Sequence, residues 1–295
     1  MSISSQSPAR LVIFLSLFSS LLGLGDFSPA AEQPSKTPAV TLRHSQTAAW
    51  HVAESDNFRF FHHSQPEIVQ RIATLCEESR RTIRKRWLPD QGLQNWTIKC
   101  DVYLYPTAQE FQQKTRFPAD SWGFADMEIG QGRVWMRRLD LRSDVEARLT
   151  SVAVHELTHV VLADRFAIRQ IPRWADEGIA LNSEPPKRQQ DLRRWLAGEI
   201  RQGRGFSLSQ LMAVRQYPSD KHLGDLFYAQ SGSLIEFLVS QNADLEPGVL
   251  RLVEESQHHG TGKPLQGVSL AQLETEWKAW LLKTENGLKV AADRP

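Results

Sequence analysis

Hydrophobic and polar residues alternate in the first part of the chain and recur at helical spacing in the second. Alternation typical of strands marks residues 50–54, 57–61, 97–105 and 133–137. Between the second and third of these segments, Pro66 begins a stretch in which apolar residues recur at helical spacing as far as Trp87. This stretch predicts a long amphipathic helix, and Thr107 is a suitable N-terminal cap for a shorter one.

From Ser143 onward the pattern is almost wholly helical. Ser143 and Glu146 stand three positions apart, as in a capping box, and predict a helix that runs to about Leu162. Another amphipathic segment, residues 273–282, closes the periodic part of the chain. Strands followed by helices predict an α+β fold, in which a small mixed sheet precedes a mostly helical part.

The N-terminal residues have the composition of a targeting signal. Arg10 precedes an apolar run, residues 11–24, that is too short to span a bilayer comfortably. Ser28 and Ala30 then fit a small-x-small cleavage pattern. These features predict a signal peptide over residues 1–30, so that the mature protein is secreted or periplasmic. The alternative is an uncleaved N-terminal membrane anchor, with the rest of the chain facing outside the cytoplasm.

The remainder of the chain is predicted to form one two-lobed unit. Residues 31–48 are rich in Gln, Pro, Ser and Thr and are interpreted as a linker. The unit itself spans residues 49–284, and residues 285–295 form a tail. Within the unit, a sheet-bearing α/β lobe covers residues 49–142, and a helical lobe covers residues 143–284.

Composition excludes several classes of protein. The 295 residues include 35 Lys and Arg against 34 Asp and Glu, and the formal charge of +1 gives no broad basic surface for nucleic acid or anionic lipid. The two cysteines, Cys76 and Cys100, are too few for a Cys-rich metal module. In an oxidising compartment they could form one disulfide or remain two buried thiols. A bound metal would therefore depend on histidine and carboxylate ligands.

His155, Glu156 and His159 form an HExxH pattern inside the helix that follows Ser143. Histidines four positions apart lie on one helix face, so both imidazoles can bind one metal ion. Glu156 lies about a hundred degrees further round the helix, where it can take a proton from a water that the metal activates. The alternative is a helix whose two histidines are satisfied by ordinary contacts.

A third ligand is available downstream. Glu177 lies 18 positions after His159, and a loop around Pro172 could fold a second helix back on the first. Two histidines, one carboxylate and an open position are typical of a catalytic zinc site.

The two motifs together resemble those of the gluzincin zinc metallopeptidases, within which they resemble a peptidase-MA-like domain. The second motif has the spacing WxxEGxA, formed here by Trp174, Glu177, Gly178 and Ala180. The same order of motifs makes the chain especially similar to the membrane-alanyl-aminopeptidase branch. The spacer between them is a residue or two shorter than in the best-known gluzincins.

The resemblance implies a zincin-like α+β fold and hydrolysis of peptide bonds. It implies that His155, His159 and Glu177 hold Zn2+ and that Glu156 is the general base, which later protonates the leaving amine. The implied partner is a peptide or protein substrate, with no nucleic acid and no stable membrane span after signal removal. The alternatives are a zinc-bearing binding protein of the same fold with little turnover, and a zinc hydrolase of a non-protein amide or ester.

Residues 227–238 carry a second resemblance. The aminopeptidase branch has a helix of similar pattern whose tyrosine stabilises the tetrahedral intermediate, and the matching residue here is Tyr228. A tyrosine of the helical core is the alternative, and His222 is the rival hydrogen-bond donor. The resemblance also implies an edge strand that lines the cleft, for which residues 132–137 are the candidate.

The remaining histidines give no sign of a site in the sequence. His62 with His63, and His258 with His259, are adjacent pairs whose side chains diverge in a helix or a strand. Both pairs are interpreted as polar surface residues.

Overall fold

The computed structural model describes residues 9–14, 40–242, 244–259 and 268–292. Most of the predicted signal peptide, residues 1–30, and the first part of the predicted linker lie outside these residues. The chain divides into two compact units, Met1–Gln170 and Ile171–Pro295. The fold combines helices with a mixed sheet, so the predicted α+β class is confirmed.

The first unit contains a seven-stranded mixed sheet and three α-helices in its described part. The strands are β1 (Ala9–Phe14), β2 (Arg43–Gln46), β3 (His51–Glu54), β4 (Phe58–His62), β5 (Cys100–Tyr105), β6 (Gly123–Gly130) and β7 (Arg133–Arg142). The helices are α1 (Pro66–Trp87), α2 (Ala108–Thr115) and α3 (Glu146–Leu162). The strand order is β1-β6-β7-β5-β4-β3-β2. β5 pairs in parallel with β4 and β7, and the other pairs are antiparallel.

The parallel centre of the sheet forms much of the core of this unit. Phe58, Phe60, Val102 and Leu104 have no exposed surface. These residues alternate with partly exposed ones along β4 and β5, so they line the face of the sheet that is covered. α3 packs on α1 and on strands β6 and β7. The helix that carries the HExxH motif therefore belongs to the sheet-bearing unit. The sequence analysis instead placed this helix in the helical lobe, which it began at Ser143.

A buried charge cluster fixes the chain where α3 ends. Asp164 accepts hydrogen bonds from Arg84 Nη1 on α1 at 3.0 Å and from Trp96 Nε1 at 2.7 Å, and it pairs with Arg137 on β7. Both arginines are buried. Because the three partners come from separate segments, Asp164 ties the end of α3 to α1 and to the sheet.

Two predicted helix signals have different outcomes. α1 begins at Pro66 and ends at Trp87, as the periodicity predicts, and Thr107 caps α2 through its side chain. The prediction that Ser143 and Glu146 form a capping box at α3 is wrong, because the helix begins at Glu146 without a side-chain cap. The Ser143 hydroxyl instead donates to the Tyr105 carbonyl at 3.1 Å.

The ends of the predicted unit also differ from the structure. β2 lies within the predicted linker, residues 31–48, and pairs with β3 in a hairpin that Thr47 closes by accepting from the Trp50 amide at 3.0 Å. All four residues of β2 are exposed, so the strand has no hydrophobic pattern. At the other end, the last helix continues to Ala292, into the predicted tail, residues 285–295.

The strand proposed as the edge of a substrate cleft is an interior strand. Residues 132–137 fall at the start of β7, which pairs with β5 on one side and with β6 on the other. The prediction that this segment forms an open sheet edge is therefore wrong.

The second unit is helical in its described part. Its helices are α4 (Arg173–Ser183), α5 (Pro186–Arg201), α6 (Leu208–Ala213), α7 (Lys221–Gln241), α8 (Leu245–His259) and α9 (Leu270–Ala292). α7 is central, because α4, α5, α6, α8 and α9 all pack against it. Among the described helices of the protein, none is long and apolar enough to cross a membrane.

A glycine brings α4 close to α7. A Cβ atom on Gly178 would lie 2.5 Å from the Ser231 carbonyl oxygen and 2.5 Å from Cγ1 of Ile235. Real Cβ atoms do not approach other atoms so closely, so only glycine fits here. The glycine of the WxxEGxA motif is thus explained by the packing of two helices.

Both cysteines of the chain are buried free thiols. Cys76 lies on α1 and Cys100 at the start of β5, and each is at most 1% exposed. Burial raises the pKa of both thiols above the ordinary range, so both stay protonated. Of the two states that the sequence left open, the structure shows two buried thiols.

Candidate metal centre

Two histidines lie one turn apart on α3. The ring centroids of His155 and His159 are 5.0 Å apart, and their planes meet at 73°. Both side chains are buried, as are the apolar residues Leu157 and Val160 on the same helix. The i, i+4 spacing places the two imidazoles on one face of the helix.

Glu156 occupies the position between them in sequence and has no exposed surface. The nearby Thr158 hydroxyl donates a hydrogen bond to the Val154 carbonyl of the same helix at 2.8 Å. A carboxylate this deeply buried is costly unless it interacts with other groups, so its presence calls for a specific role.

Glu177 lies on α4, next to the glycine that contacts α7, and is also fully buried. The Tyr217 hydroxyl donates a hydrogen bond to its Oε1 atom. Glu177, His155 and His159 each offer a ligand atom, and these three atoms lie within 4.8 Å of one another. No other such group of three occurs among the described His, Cys, Asp and Glu residues.

The donor set suits zinc. Structural and catalytic zinc sites use imidazole nitrogen and carboxylate oxygen at about 2.0–2.2 Å, which separates neighbouring ligand atoms by roughly 3.3 Å in a tetrahedron. Two buried imidazoles and one buried carboxylate at the observed spacing fit this requirement after small side-chain rotations. Three protein ligands also leave one position open, as in catalytic rather than structural zinc sites.

Tyr217 is held in place from its other side by Arg173. The Arg173 guanidinium lies 4.7 Å from the centre of the Tyr217 ring, and its Nη1 is 3.3 Å from the phenolic oxygen. Arg173 itself donates to the Arg215 carbonyl at 3.0 Å. Burial and the negative charge of Glu177 raise the pKa of Tyr217, so the phenol keeps its proton and remains a donor.

Tyr228 lies on α7 and stacks on Tyr217. The two rings are nearly parallel, at 11°, with centroids 5.9 Å apart, and Tyr228 is buried. The resemblance placed this tyrosine at the start of a helix, but α7 begins seven residues earlier, at Lys221. Tyr228 therefore adjoins the tyrosine that contacts the candidate carboxylate ligand.

His222, the rival donor, has different neighbours. Its Nε2 lies 3.2 Å from Glu199, and its ring meets the edge of Trp195 with centroids 5.9 Å apart. Glu199 also accepts two hydrogen bonds from Arg204. His222 is thus half-exposed and lies against a buried carboxylate of α5 that Arg204 also contacts.

Tyr217 is the residue of this site that the sequence did not reveal. It lies in the connection between α6 and α7, where no periodicity and no motif marks it. The tyrosine–proline pair at positions 217 and 218 indicates only a turn. Its importance comes from a contact between residues 40 positions apart.

The protein has the features of a metallopeptidase. It combines an α+β fold with an HExxH helix and a second helix that carries a buried carboxylate. Residues 88–283 match the family model of the Peptidase MA superfamily. The match covers more than half of the chain and includes both motifs. The protein belongs to the Peptidase MA superfamily, which confirms the predicted peptidase-MA-like domain. No curated protein matches the chain.

Proposed function

We propose that the protein is a zinc-dependent peptidase in which His155, His159 and Glu177 hold the metal. The observation that carries the proposal is the approach of three buried ligand atoms to within 4.8 Å in a chain of the Peptidase MA superfamily. That superfamily is typically zinc-dependent, and its peptidase domain implies peptide substrates. We also propose that the protein is a gluzincin and that, within the gluzincins, it is most similar to the membrane-alanyl-aminopeptidase branch.

The residues around the metal ligands have complementary roles. Zinc, when bound, supplies Lewis acidity that makes water nucleophilic near neutral pH. Glu156 takes a proton from the attacking water and delivers it to the leaving amine. Tyr228 donates a hydrogen bond to the carbonyl oxygen as negative charge develops there. Tyr217 holds the Glu177 carboxylate in one orientation.

Two other functions compete with this one. A hydrolase could use the same residues on a non-protein amide or ester, and a zinc-bearing binding protein could use them with little turnover. The presence of Glu156 favours an enzyme over a binding protein, because binding a metal does not need a buried base beside the ligands. The superfamily match favours a peptide over another amide.

Digestion of a peptide library, read by mass spectrometry, tests the proposed activity. The wild-type protein should cleave peptides, and the positions of the cuts separate endopeptidase from exopeptidase. Glu156→Gln should keep the zinc and abolish cleavage, whereas Glu177→Ala should lose most of the zinc. Glu276→Gln is the matched control, because this exposed carboxylate lies on α9 and accepts a hydrogen bond from Gln272 on the same helix.

The outcomes distinguish the alternatives. Zinc without cleavage of any peptide would favour the binding protein or the non-peptide hydrolase. Full activity in Glu156→Gln would refute the assignment of the base. Absence of zinc from both the wild type and Glu156→Gln would refute the enzymatic proposal.

The assignment of the oxyanion donor has its own test. Tyr228→Phe should lower kcat by about a hundredfold or more with zinc intact, the effect of removing one such donor. His222→Gln should leave kcat close to wild type, because His222 is engaged with Glu199. The reverse result would assign the role to His222.

We also propose that the protein acts outside the cytoplasm, on the basis of the N-terminal signal alone. N-terminal sequencing of protein from the periplasm or medium should give a start near residue 31. An intact N-terminus in the membrane fraction would indicate the uncleaved anchor instead.

A further inference from the structure

Arg173 is the first residue of α4 and lies four positions before Glu177, the proposed metal ligand of the same helix. Residues four apart lie one turn apart on one face of a helix, so both side chains leave α4 on the same face. Residues 174–182 are all buried, whereas Arg173 is partly exposed. A solute can therefore reach the Arg173 guanidinium at the end of an otherwise covered helix.

Two hydrogen bonds and a ring contact hold this guanidinium near Glu177. Its Nε donates to the Arg215 carbonyl at 3.0 Å, and its Nη1 lies 3.3 Å from the Tyr217 hydroxyl oxygen. The guanidinium also lies 4.7 Å from the centre of the Tyr217 ring. The same hydroxyl donates to Oε1 of Glu177. The guanidinium is thus no more than two hydrogen bonds, or about 6 Å, from that carboxylate.

The charge of Arg173 has no direct counter-ion in the part of the chain that the structure describes. Within the same residues, its Nη2 atom has no hydrogen-bond partner. Other buried or partly buried arginines do pair with a carboxylate: Arg84, Arg137, Arg142 and Arg193. Guanidinium donors match the geometry of a carboxylate, and such charged hydrogen bonds are stronger than neutral ones. The unused donor of Arg173 therefore suits a carboxylate from outside the chain.

Support of Tyr217 does not use the whole guanidinium. Nη1 and the ring contact serve Tyr217, and Nε binds the connection between α6 and α7 through the Arg215 carbonyl. Together these contacts fix the orientation of the planar group, because rotation of the side chain would break them. Nη2 is therefore held in place before any ligand arrives, and binding there costs little side-chain entropy.

We propose that Arg173 binds a carboxylate of the peptide substrate close to the bond that is cleaved. The carboxylate is either the C-terminal group or the side chain of an Asp or Glu residue. An extended peptide advances by about 3.3–3.6 Å per residue, so a guanidinium about 6 Å from Glu177 can reach a group one or two residues along the substrate. This inference rests on the proposed function, because it names the substrate class of the same site.

Binding of paired peptides to the zinc-loaded full chain tests the proposal. The first pair is N-acetyl tetra-alanine with a free carboxylate or an amide at its C-terminus. The other pairs are the amidated peptide with Glu or Gln at each position in turn. Calorimetry in Glu156→Gln protein gives the affinities without cleavage. In at least one pair the carboxylate form should bind about tenfold more tightly or better, the effect of one charged hydrogen bond.

Two further substitutions, each made in Glu156→Gln protein, assign this preference to Arg173. Arg173→Gln should remove most of the preference, leaving the two members of the pair within about twofold of each other. Arg215→Gln is the matched control. It removes an exposed positive charge nearby but keeps the backbone carbonyl that accepts from Arg173, so the preference should stay unchanged. The zinc content of each protein is measured in parallel.

The pair that shows the preference identifies the source of the carboxylate. Equal binding of both members of every pair would overturn the proposal. A preference that survives in Arg173→Gln would also overturn it, because another group would then hold the carboxylate. Equal weakening of both members in Arg173→Gln would show that Arg173 acts only by holding Tyr217, which again overturns the proposal. Failure of the proposed function gives a different result: a preference that depends on Arg173, with no cleavage of any peptide by the wild type.

Discussion

Gly178→Ala tests whether the contact between α4 and α7 depends on the absence of a side chain. The added Cβ would lie 2.5 Å from the Ser231 carbonyl oxygen and from Ile235 Cγ1. Ordinary contacts are about 3.5–4.0 Å, so the two helices must separate by about 1 Å. The Ile235 side chain can rotate, but the Ser231 oxygen belongs to the backbone of α7 and can move only with its helix.

The expected change in stability is the sum of two opposing effects. Overpacking of this kind costs about 1–3 kcal/mol, and the backbone contact places Gly178→Ala near the upper end. Alanine in a helix is more favourable than glycine by about 0.8–1.0 kcal/mol. We therefore expect a net loss of about 1–2 kcal/mol in the free energy of unfolding. At about 2–4 °C per kcal/mol, Tm should fall by several degrees.

Gly198→Ala is the matched control. Gly198 lies on α5, and a Cβ atom there would meet no atom within 4 Å. This variant keeps the gain in helix propensity without the clash, so its Tm should rise by about 2–4 °C. The difference between the two variants isolates the steric effect.

Thermal unfolding followed by circular dichroism measures both variants, and the zinc content of each is determined in parallel. Because Glu177 precedes Gly178 on α4, movement of this helix should also lower the zinc content of Gly178→Ala relative to Gly198→Ala. A Gly178→Ala protein as stable as the control would refute the argument, because the two helices would then accept a side chain at their contact.

Three further perturbations test the rest of the structure. Asp164→Asn leaves Arg84 and Arg137 buried without a carboxylate, so it should lower the free energy of unfolding in urea by about 3–5 kcal/mol. Asp90→Asn is its control: it removes an exposed ion pair with Arg165 and should lower that free energy by less than about 1 kcal/mol. Tyr217→Phe should weaken zinc binding about 10–100-fold in competition with a chelator, with an unchanged far-UV circular dichroism spectrum, and equal affinity would contradict the positioning role. Removal of zinc with a chelator should abolish peptide hydrolysis, and added zinc should restore it; activity that survives complete removal would refute metal dependence.

The sequence predicted those elements whose stability depends on a simple periodic pattern. α1 could be predicted at both ends, because Pro66 and the apolar repeat up to Trp87 are local signals. β2 could not be predicted, because its four residues are all exposed and show no hydrophobic pattern. The strand is defined by its pairing with β3. Ser143 satisfied the spacing of a capping box, but its hydroxyl is used by the Tyr105 carbonyl, a partner that is distant in sequence.

The candidate site shows the same limit. The i, i+4 spacing was enough to place His155 and His159 on one helix face, because a helix translates spacing into geometry. Tyr217 lies in a connection, and its hydrogen bond to Glu177 exists only after α4, α6 and α7 have packed.

The burial of both thiols has a consequence for the fate of the unfolded chain. In the native state Cys76 and Cys100 stay protonated and shielded, so folding requires no oxidant and oxidants do not reach the thiols. Once the first unit unfolds, each thiol regains ordinary reactivity in an oxidising solution. Disulfides that form between or within unfolded chains keep those chains from refolding, so heat inactivation becomes irreversible. The lifetime of the protein in such a solution is therefore set by how fast the core around these two residues opens.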